Sequence, residues 1–245
     1  MCHSQKLPFT DRDGTMCGRF TLQTLPSQWG QLLLPLLEHW EPPAGWTPRY
    51  NIAPTQNILA ILDSEHPGRG TLDQLRWGLI PSWSQDLAIG SRMINARAET
   101  LLEKRSFAGP LAERRCMILA DGYYEWQKQA DGRKQPCWLA PAGGGPMLLA
   151  GLWEVNRRAT GVPIRSCTLI TTAANHALSE VHDRMPVVLH PAEAERWIDP
   201  RCKAQEASEL LQPAADDFFC IRQVSTRVNN VRHDDPECLA AVASA

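Results

Sequence analysis

Short hydrophobic runs alternate with turn-forming stretches along the 245-residue chain, and the elements this pattern predicts are mostly strands. Residues 57–62 and 72–77 read as a hairpin around the His66-Pro67-Gly68-Arg69-Gly70 turn. Further strands are expected at 116–120, 136–140, 147–154, 165–171, 186–189 and 219–224. A helical pattern covers 27–40, with Ser27 as its cap and Pro35 forcing a kink or break. Shorter helices are expected over 174–180, over 191–198, where Pro191 takes the first helical position, and over 203–211. Within 100–115 a short helix is expected to give way to a loop at Gly109-Pro110. The connections are short and lack a strand–helix–strand rhythm. The expected fold class is therefore α+β: an antiparallel, barrel-like curled sheet core with short peripheral helices, in one domain.

Composition narrows the picture only a little. Apolar residues make up 43% of the chain and charged residues 21%, as in soluble globular proteins. No run approaches the roughly 18 apolar residues of a membrane span. The first fifteen residues carry Lys6, Asp11, Arg12 and Asp13 without an apolar block, so neither a membrane segment nor a signal peptide is expected. Net charge is −2, so any nucleic-acid site must be a local basic patch. Eight cysteines include no C-x-x-C pair, and no metal or cofactor is expected. Most sit in apolar runs, as Cys116 and Cys167 do, and read as small core residues. Cys17 differs, being followed directly by Gly18 and Arg19 with no hydrophobic strand around it.

Four segments place polar groups oddly. Met93–Glu99 puts Asn95 and Arg97 on one side if extended, and Asp121–Trp126 sets Glu125 among aromatics. His182-Asp183-Arg184 precedes an apolar strand, and Trp77–Trp83 carries two tryptophans around tight turns. Each has an ordinary alternative: a strand-end amide, an arginine partner, a surface salt-bridge cluster, a packing residue. Together they offer a thiol, a carboxylate, an imidazole and an amide. One reading is a cysteine nucleophile with His182 as base. Another uses the α-amine of a chain that begins at Cys17. Such an amine titrates near 7.7–8 and condenses with aldehydes, after which the neighbouring thiol can close a five-membered ring. A DNA abasic site presents an aldehyde when its sugar opens.

The segments Met16–Phe20, Arg49–Pro54, Trp77–Pro81, Ile94–Glu99, Ala120–Trp126, Thr171–Ala174, His182–Pro186 and Val228–Asn230 jointly resemble the SRAP family (SOS-response-associated peptidases, or abasic-site-processing proteins). In order and spacing they cover the chain from Met16 to about Leu239. The resemblance implies the SRAP fold over 16–240, preceded by an extension, 1–15, absent or removed in the active protein. It implies a thiazolidine cross-link between Cys17 and an abasic site in single-stranded DNA, with lyase-type chemistry alongside, in the DNA damage response. Asn95 would position the N-terminus, Glu125 would serve as general acid and base, and His182 would assist ring opening and cross-link formation or reversal. Arg19, Arg97 and Arg184 look like phosphate contacts, and Asn51, Trp83 and Thr171 like residues lining the strand, Trp83 as a stacking wedge. The expected partner is single-stranded DNA and not a membrane. The protein is expected to be monomeric, in the bacterial cytoplasm and on the nucleoid when DNA-bound.

One feature departs from the family: residues precede Met16. While they remain, the Cys17 nitrogen is an amide and no thiazolidine can form. Either translation starts at Met16, or the chain cleaves itself before Cys17, or the extended form is inactive. The alternatives in function are a thiol peptidase acting on its own extension and a non-covalent single-strand binder.

Overall fold

Described here, in a computed structural model, are residues 18–25, 28–29, 33, 36–37, 44–64 and 69–242. The expectations for residues 1–17, Cys17 among them, lie outside this set, as do most of the 27–40 helix and the tip of the 57–77 hairpin. Within it Gln28, Trp29 and Leu33 are helical. In chain order the strands are β1 (Arg19–Leu22), β2 (Arg49–Ile52), β3 (Asn57–Asp63), β4 (Gly70–Trp77) and β5 (Asn95–Arg97). They continue with β6 (Arg115–Ala120), β7 (Gly122–Lys128), β8 (Lys134–Pro141), β9 (Met147–Asn156) and β10 (Ile164–Ala173). The last are β11 (Arg184–Pro186), β12 (Val188–Leu189) and β13 (Phe219–Gln223). The α-helices that are described over their whole length are α1 (Arg105–Glu113), α2 (Pro191–Ile198) and α3 (Ala204–Ser208), all short and outside the sheets.

The longest apolar runs become neighbours. β3 pairs antiparallel with β4 and β6, β6 with β9, and β9 with β10. The parallel match of Ser166 with Arg76 and Cys167 with Trp77 joins β10 to β4 and closes a five-stranded barrel. A barrel this narrow is filled by side chains. All six residues of β6 are accordingly buried, and Gly151 in β9 lies where a Cβ would come within 2.9 Å of Ile118 Cδ1. Cys116 and Cys167 are fully buried, and loss of hydration pushes both thiols up, in keeping with core residues.

The chain leaves the barrel between β6 and β7. There the Asp121 N–H donates to Thr21 O at 2.8 Å, and its carboxylate accepts from the backbone N–H groups of Gln23 and Thr24. Gly122 follows because a Cβ would strike Trp138 at 2.5 Å. β7 then joins a second, wholly antiparallel sheet in the order β13-β8-β7-β1-β2. The expected α+β class, with curled antiparallel sheet and short helices, is what the fold displays, and the two parallel pairings of β10 are its exceptions.

Three local expectations are corrected. The Gly109-Pro110 loop is part of α1, because Phe107, Pro110 and Leu111 share a buried face whose packing outweighs one missing helical N–H. Residues 174–180 form turns and not a helix. Ala173 pairs with Arg184, so the chain between them must double back, whereas a helix would carry it away at 1.5 Å per residue. The helix expected over 203–211 ends at Ser208, ahead of Pro213, which disfavours helical backbone at the residue before it.

Between β4 and β5 the chain makes an excursion, 78–94, that returns to its own base, with Leu79 N–H donating to Met93 O at 3.1 Å. Gly78 sits at φ +114°, where a Cβ would come within 2.5 Å of Gly90 O. Gly78→Ala should therefore cost at least about 2 kcal/mol from backbone strain and the clash together. Urea unfolding of the purified variant measures it. A loss within about 0.5 kcal/mol, the range of an ordinary surface change, would show that this contact does not anchor the excursion.

Candidate functional site

The second half of β10 is a platform. β5 runs parallel on one side, setting Arg97 beside Thr171, and β11 runs antiparallel on the other, setting Pro186 beside Thr171 and Arg184 beside Ala173. The Arg184 guanidinium meets Glu99 in a bidentate pair at 2.7 and 2.9 Å and also donates to Thr171 O at 2.7 Å. Hydrogen bonds from Arg184 hold the Glu99 carboxyl below its usual pKa. Thr171 is buried, and its hydroxyl donates to Ala96 O at 3.4 Å. Arg97 is exposed, and its side chain makes no hydrogen bond or ion pair among the described residues. Arg97, Thr171 and Arg184 are thus brought together, with Glu99 as a fourth member that motif reading left without a role.

His182 lies two residues before Arg184, with a side chain 22% exposed. Its Nδ1 is 3.1 Å from the Arg184 N–H and 2.8 Å from Asp183 Oδ1. A bare Nδ1 accepts from the backbone, and a protonated one donates to the carboxylate. Gain or loss of one proton therefore changes the partner without moving the ring.

Glu125 is in β7, a strand that the hydrophobic pattern does not reveal because buried residues occupy both its faces. The residue is 4% exposed, on the same face as the buried Tyr123, while Tyr124 and Trp126 point the other way into a small separate cluster. The pairing of β1 with β7 runs Arg19 to Tyr124 and Phe20 to Tyr123, so the chain reaches β1, through Gly18, at the Glu125 end of β7. Phe20 packs edge-on against Trp77 with ring centroids 5.2 Å apart. The Trp77 indole N–H in turn donates to Ile94 O at 3.0 Å, next to Asn95. Gln127, two residues past Glu125, reaches Glu180 O at 3.5 Å in the segment that leads to His182. Contacts between their neighbours thus link the start of β1, the strand of Glu125, the Asn95 segment and the His182 segment, although these lie far apart along the chain.

Arg19 and Asn51 are inward residues. Arg19 is 8% exposed, donates to Asn51 Oδ1 at 3.0 Å and Val228 O at 2.6 Å, and lies over the Trp126 ring at 5.6 Å. Asn51 is fully buried, and its amide donates to Val228 O, Asn230 O and His233 O at 3.1, 3.1 and 2.7 Å. In this structure their polar groups, like those of Thr171, hold the protein's own frame. Asp234 completes the hub by accepting from Tyr50 N–H at 2.5 Å and Asn51 N–H at 2.8 Å. Three of the quoted motifs, Met16–Phe20, Arg49–Pro54 and Val228–Asn230, meet in this hub, whereas Asp234 lies outside all of them. Trp83 stands apart from that hub, 41% exposed on the 78–94 excursion, with the Arg105 guanidinium over its ring at 5.9 Å.

Comparison with known proteins fits this arrangement. A family model described as SOS response associated peptidase (SRAP) matches residues 16–231. The abasic site processing protein YoqW of Bacillus subtilis is 40% identical over 91% of this chain and 99% of its own. The abasic site processing protein HMCES of Pongo abelii is 34% identical over 87% of this chain and 70% of its own. A solved protein from Bordetella bronchiseptica superposes with a TM-score of 0.71 at 26% identity, covering 85% of this chain and all of the other.

Two consequences of the geometry can be measured. Asn51→Ala removes the donor of three carbonyls and should destabilise the protein by about 2–4 kcal/mol in urea unfolding; a loss under about 0.5 kcal/mol would contradict the hub. Glu99 has a depressed folded pKa, so its pair with Arg184 contributes stability above the ordinary carboxylate range. That contribution disappears as pH falls through the depressed folded value. Glu99→Gln should lack this part of the acid-side decline, and superimposable pH profiles of the two proteins would refute the assignment.

Proposed function

The chain belongs to the SOS response associated peptidase family, and from that premise we propose that it processes abasic sites in single-stranded DNA through the amine and thiol of Cys17. The observation that carries this reading is Glu125: a buried carboxylate on β7, at the end where the chain passes from Cys17 through Gly18 into β1. The names of the curated relatives, abasic site processing proteins, supply the substrate class.

The chemistry follows from the groups. Glu125 protonates the ring oxygen of the abasic sugar, and opening exposes the C1′ aldehyde. The neutral Cys17 amine adds to that carbon, and a proton from Glu125 to the resulting hydroxyl expels water and leaves an iminium. The Cys17 thiol gives its proton to the Glu125 carboxylate, and the sulfur adds to the same carbon, closing a neutral thiazolidine. Until it closes, the iminium acidifies the C2′ proton, and removal of that proton expels the 3′ phosphate. One site can therefore cut a strand or trap it, according to which step is faster. His182, whose Nδ1 has a hydrogen-bond partner whether it is bare or protonated, suits ring opening and reversal. Asn95, at the start of β5, suits the positioning of the amine.

Arg97, exposed on the β10 platform, and Trp83, exposed on the excursion, suit a phosphate and a base respectively. Arg184 reaches a phosphate only by sharing or releasing Glu99. Arg19 and Asn51 act mainly by holding the 228–233 segment in place, and Thr171 by holding β5 on the β10 platform. The free Cys17 amine arises by initiation at Met16 with methionine removal, or by self-cleavage before Cys17. In the second case the activity is also peptidase-like, and intact mass of the protein from its own cell distinguishes the two.

Wild type should form a denaturation-resistant adduct with single-stranded DNA bearing an abasic site, and Cys17→Ala should form none on a denaturing gel. An equal yield from the variant would end the proposal. Glu125→Gln should slow adduct formation by roughly two to four orders of magnitude with its shape kept, and unchanged kinetics would remove Glu125 from the reaction. Glu99→Gln should tighten binding of single-stranded DNA, and Arg184→Ala should weaken it and lower its salt slope by about one. Fluorescence anisotropy at several salt concentrations reads both, and opposite signs would exclude Arg184 as a phosphate contact.

A further inference from the structure

Away from the residues already assigned, the outer face of the barrel carries a groove without a carboxylate in its lining. Arg76 from β4, Arg157 and Arg165 from the β9–β10 hairpin, and Leu87 from the 78–94 excursion form its walls. Asp73 pairs with Arg165, and Arg76 donates to Thr55 O at 2.8 Å while keeping its charge. Arg157 and its neighbour Arg158 are exposed, with no ion pair among the described residues. On a chain of net charge −2, this is a concentrated positive patch.

What ties the groove to the candidate site is Asn156, fully buried at the end of β9. Its Nδ2 donates to Pro81 O at 2.6 Å and Ser84 O at 2.8 Å, on either side of Trp83. Its Oδ1 accepts from the backbone N–H groups of Arg158 at 3.0 Å and Ala159 at 2.9 Å. One amide thus fixes both the loop that presents Trp83 and the turn that presents Arg157 and Arg158. Leu87, 38% exposed and lining the groove, lies just beyond that loop. An exposed indole followed by a basic, partly apolar groove matches a nucleic-acid strand, with a base for the ring and phosphates for the guanidinium groups.

We infer that the groove lined by Arg76, Arg157 and Arg165, with the exposed Arg158 next to Arg157 at its rim, is a second phosphate-binding subsite, which takes the DNA backbone flanking the nucleotide at Cys17 and is aligned with Trp83 by Asn156. The inference rests on the DNA reading above and adds a contact which that reading does not require. Because Arg157 and Arg158 are exposed, an Arg157→Ala/Arg158→Ala variant tests the groove without disturbing the core.

Two fluorescein-labelled oligonucleotides carrying a central tetrahydrofuran abasic analogue serve as probes, one of about 5 nucleotides and one of about 20, bracketing the reach of a single-strand groove. The long probe is used with its flanks single-stranded and with one flank as duplex. Anisotropy titrations at several salt concentrations should show wild type preferring the long probe. The variant should lose about tenfold on it, with a salt slope lower by one to two and little change on the short probe. Loss in either long form supports the subsite and tells which form it holds. Equal affinity and slope of variant and wild type on both long forms would overturn it. Failure of wild type to form an adduct with a true abasic site would instead strike the proposed chemistry, since the analogue cannot react and its binding judges the groove alone.

Discussion

The structure depends on β10 being shared. A five-stranded barrel needs a closing strand, and the first half of β10 supplies it by pairing with β9 on one edge and β4 on the other. The second half runs past β4, and its freed edge takes β5 in parallel while β11 folds back on the opposite side. Every backbone group of a buried strand needs a partner, so the overhang cannot be left bare. The two three-residue strands that satisfy it bring in Asn95, Arg97 and Arg184. The strand that closes the barrel thus also places Asn95, Arg97 and Arg184.

Irregular backbone around this frame is held by a few buried polar side chains. Asn51 gathers the carbonyls of 228–233, Asn156 those of the Trp83 loop, and Arg115 those at the ends of α1 and α2, donating to Leu111 O, Trp197 O and Asp199 O among others. A buried carbonyl without a donor costs on the order of 1–3 kcal/mol, so a single amide serving two or three of them stabilises a loop that has no apolar core. Asp121 does the converse for backbone N–H groups where the chain passes between sheets, although burial raises its own pKa. These groups are costly to remove. Arg19 likewise donates to Val228 O and to the Asn51 side chain.

Charge is distributed by the same logic. Arg184 is balanced by Glu99, Arg165 by Asp73 and Arg49 by Asp234, whereas Arg97 and Arg157 stay exposed without such partners among the described residues. A near-neutral molecule can present a basic path because its carboxylates are tied down elsewhere. Salt bridges at a surface contribute little to stability, and their larger effect here is on where positive potential remains.

The periodicity of β3, β6, β9 and β10, the Pro191 start of α2 and the α+β class were legible in the sequence, since long apolar runs and a proline at a helix start act locally. The motifs made the family legible, because a set of spacings is information that lies along the chain. Strand β7 was not legible, because burial on both faces erases alternation, and neither was the doubling back at 174–183, which only the pairing of Ala173 with Arg184 imposes. For the site, the sequence by itself determined which groups were on offer: Cys17, Asn95, Glu125, His182 and the arginines. Tertiary structure alone decided which of the described ones face outward. Asn51 and Asn156 look like any polar residue at a strand end until the carbonyls they hold come from other parts of the chain. Partnership between distant residues is a property of the packed fold, and no local pattern encodes it.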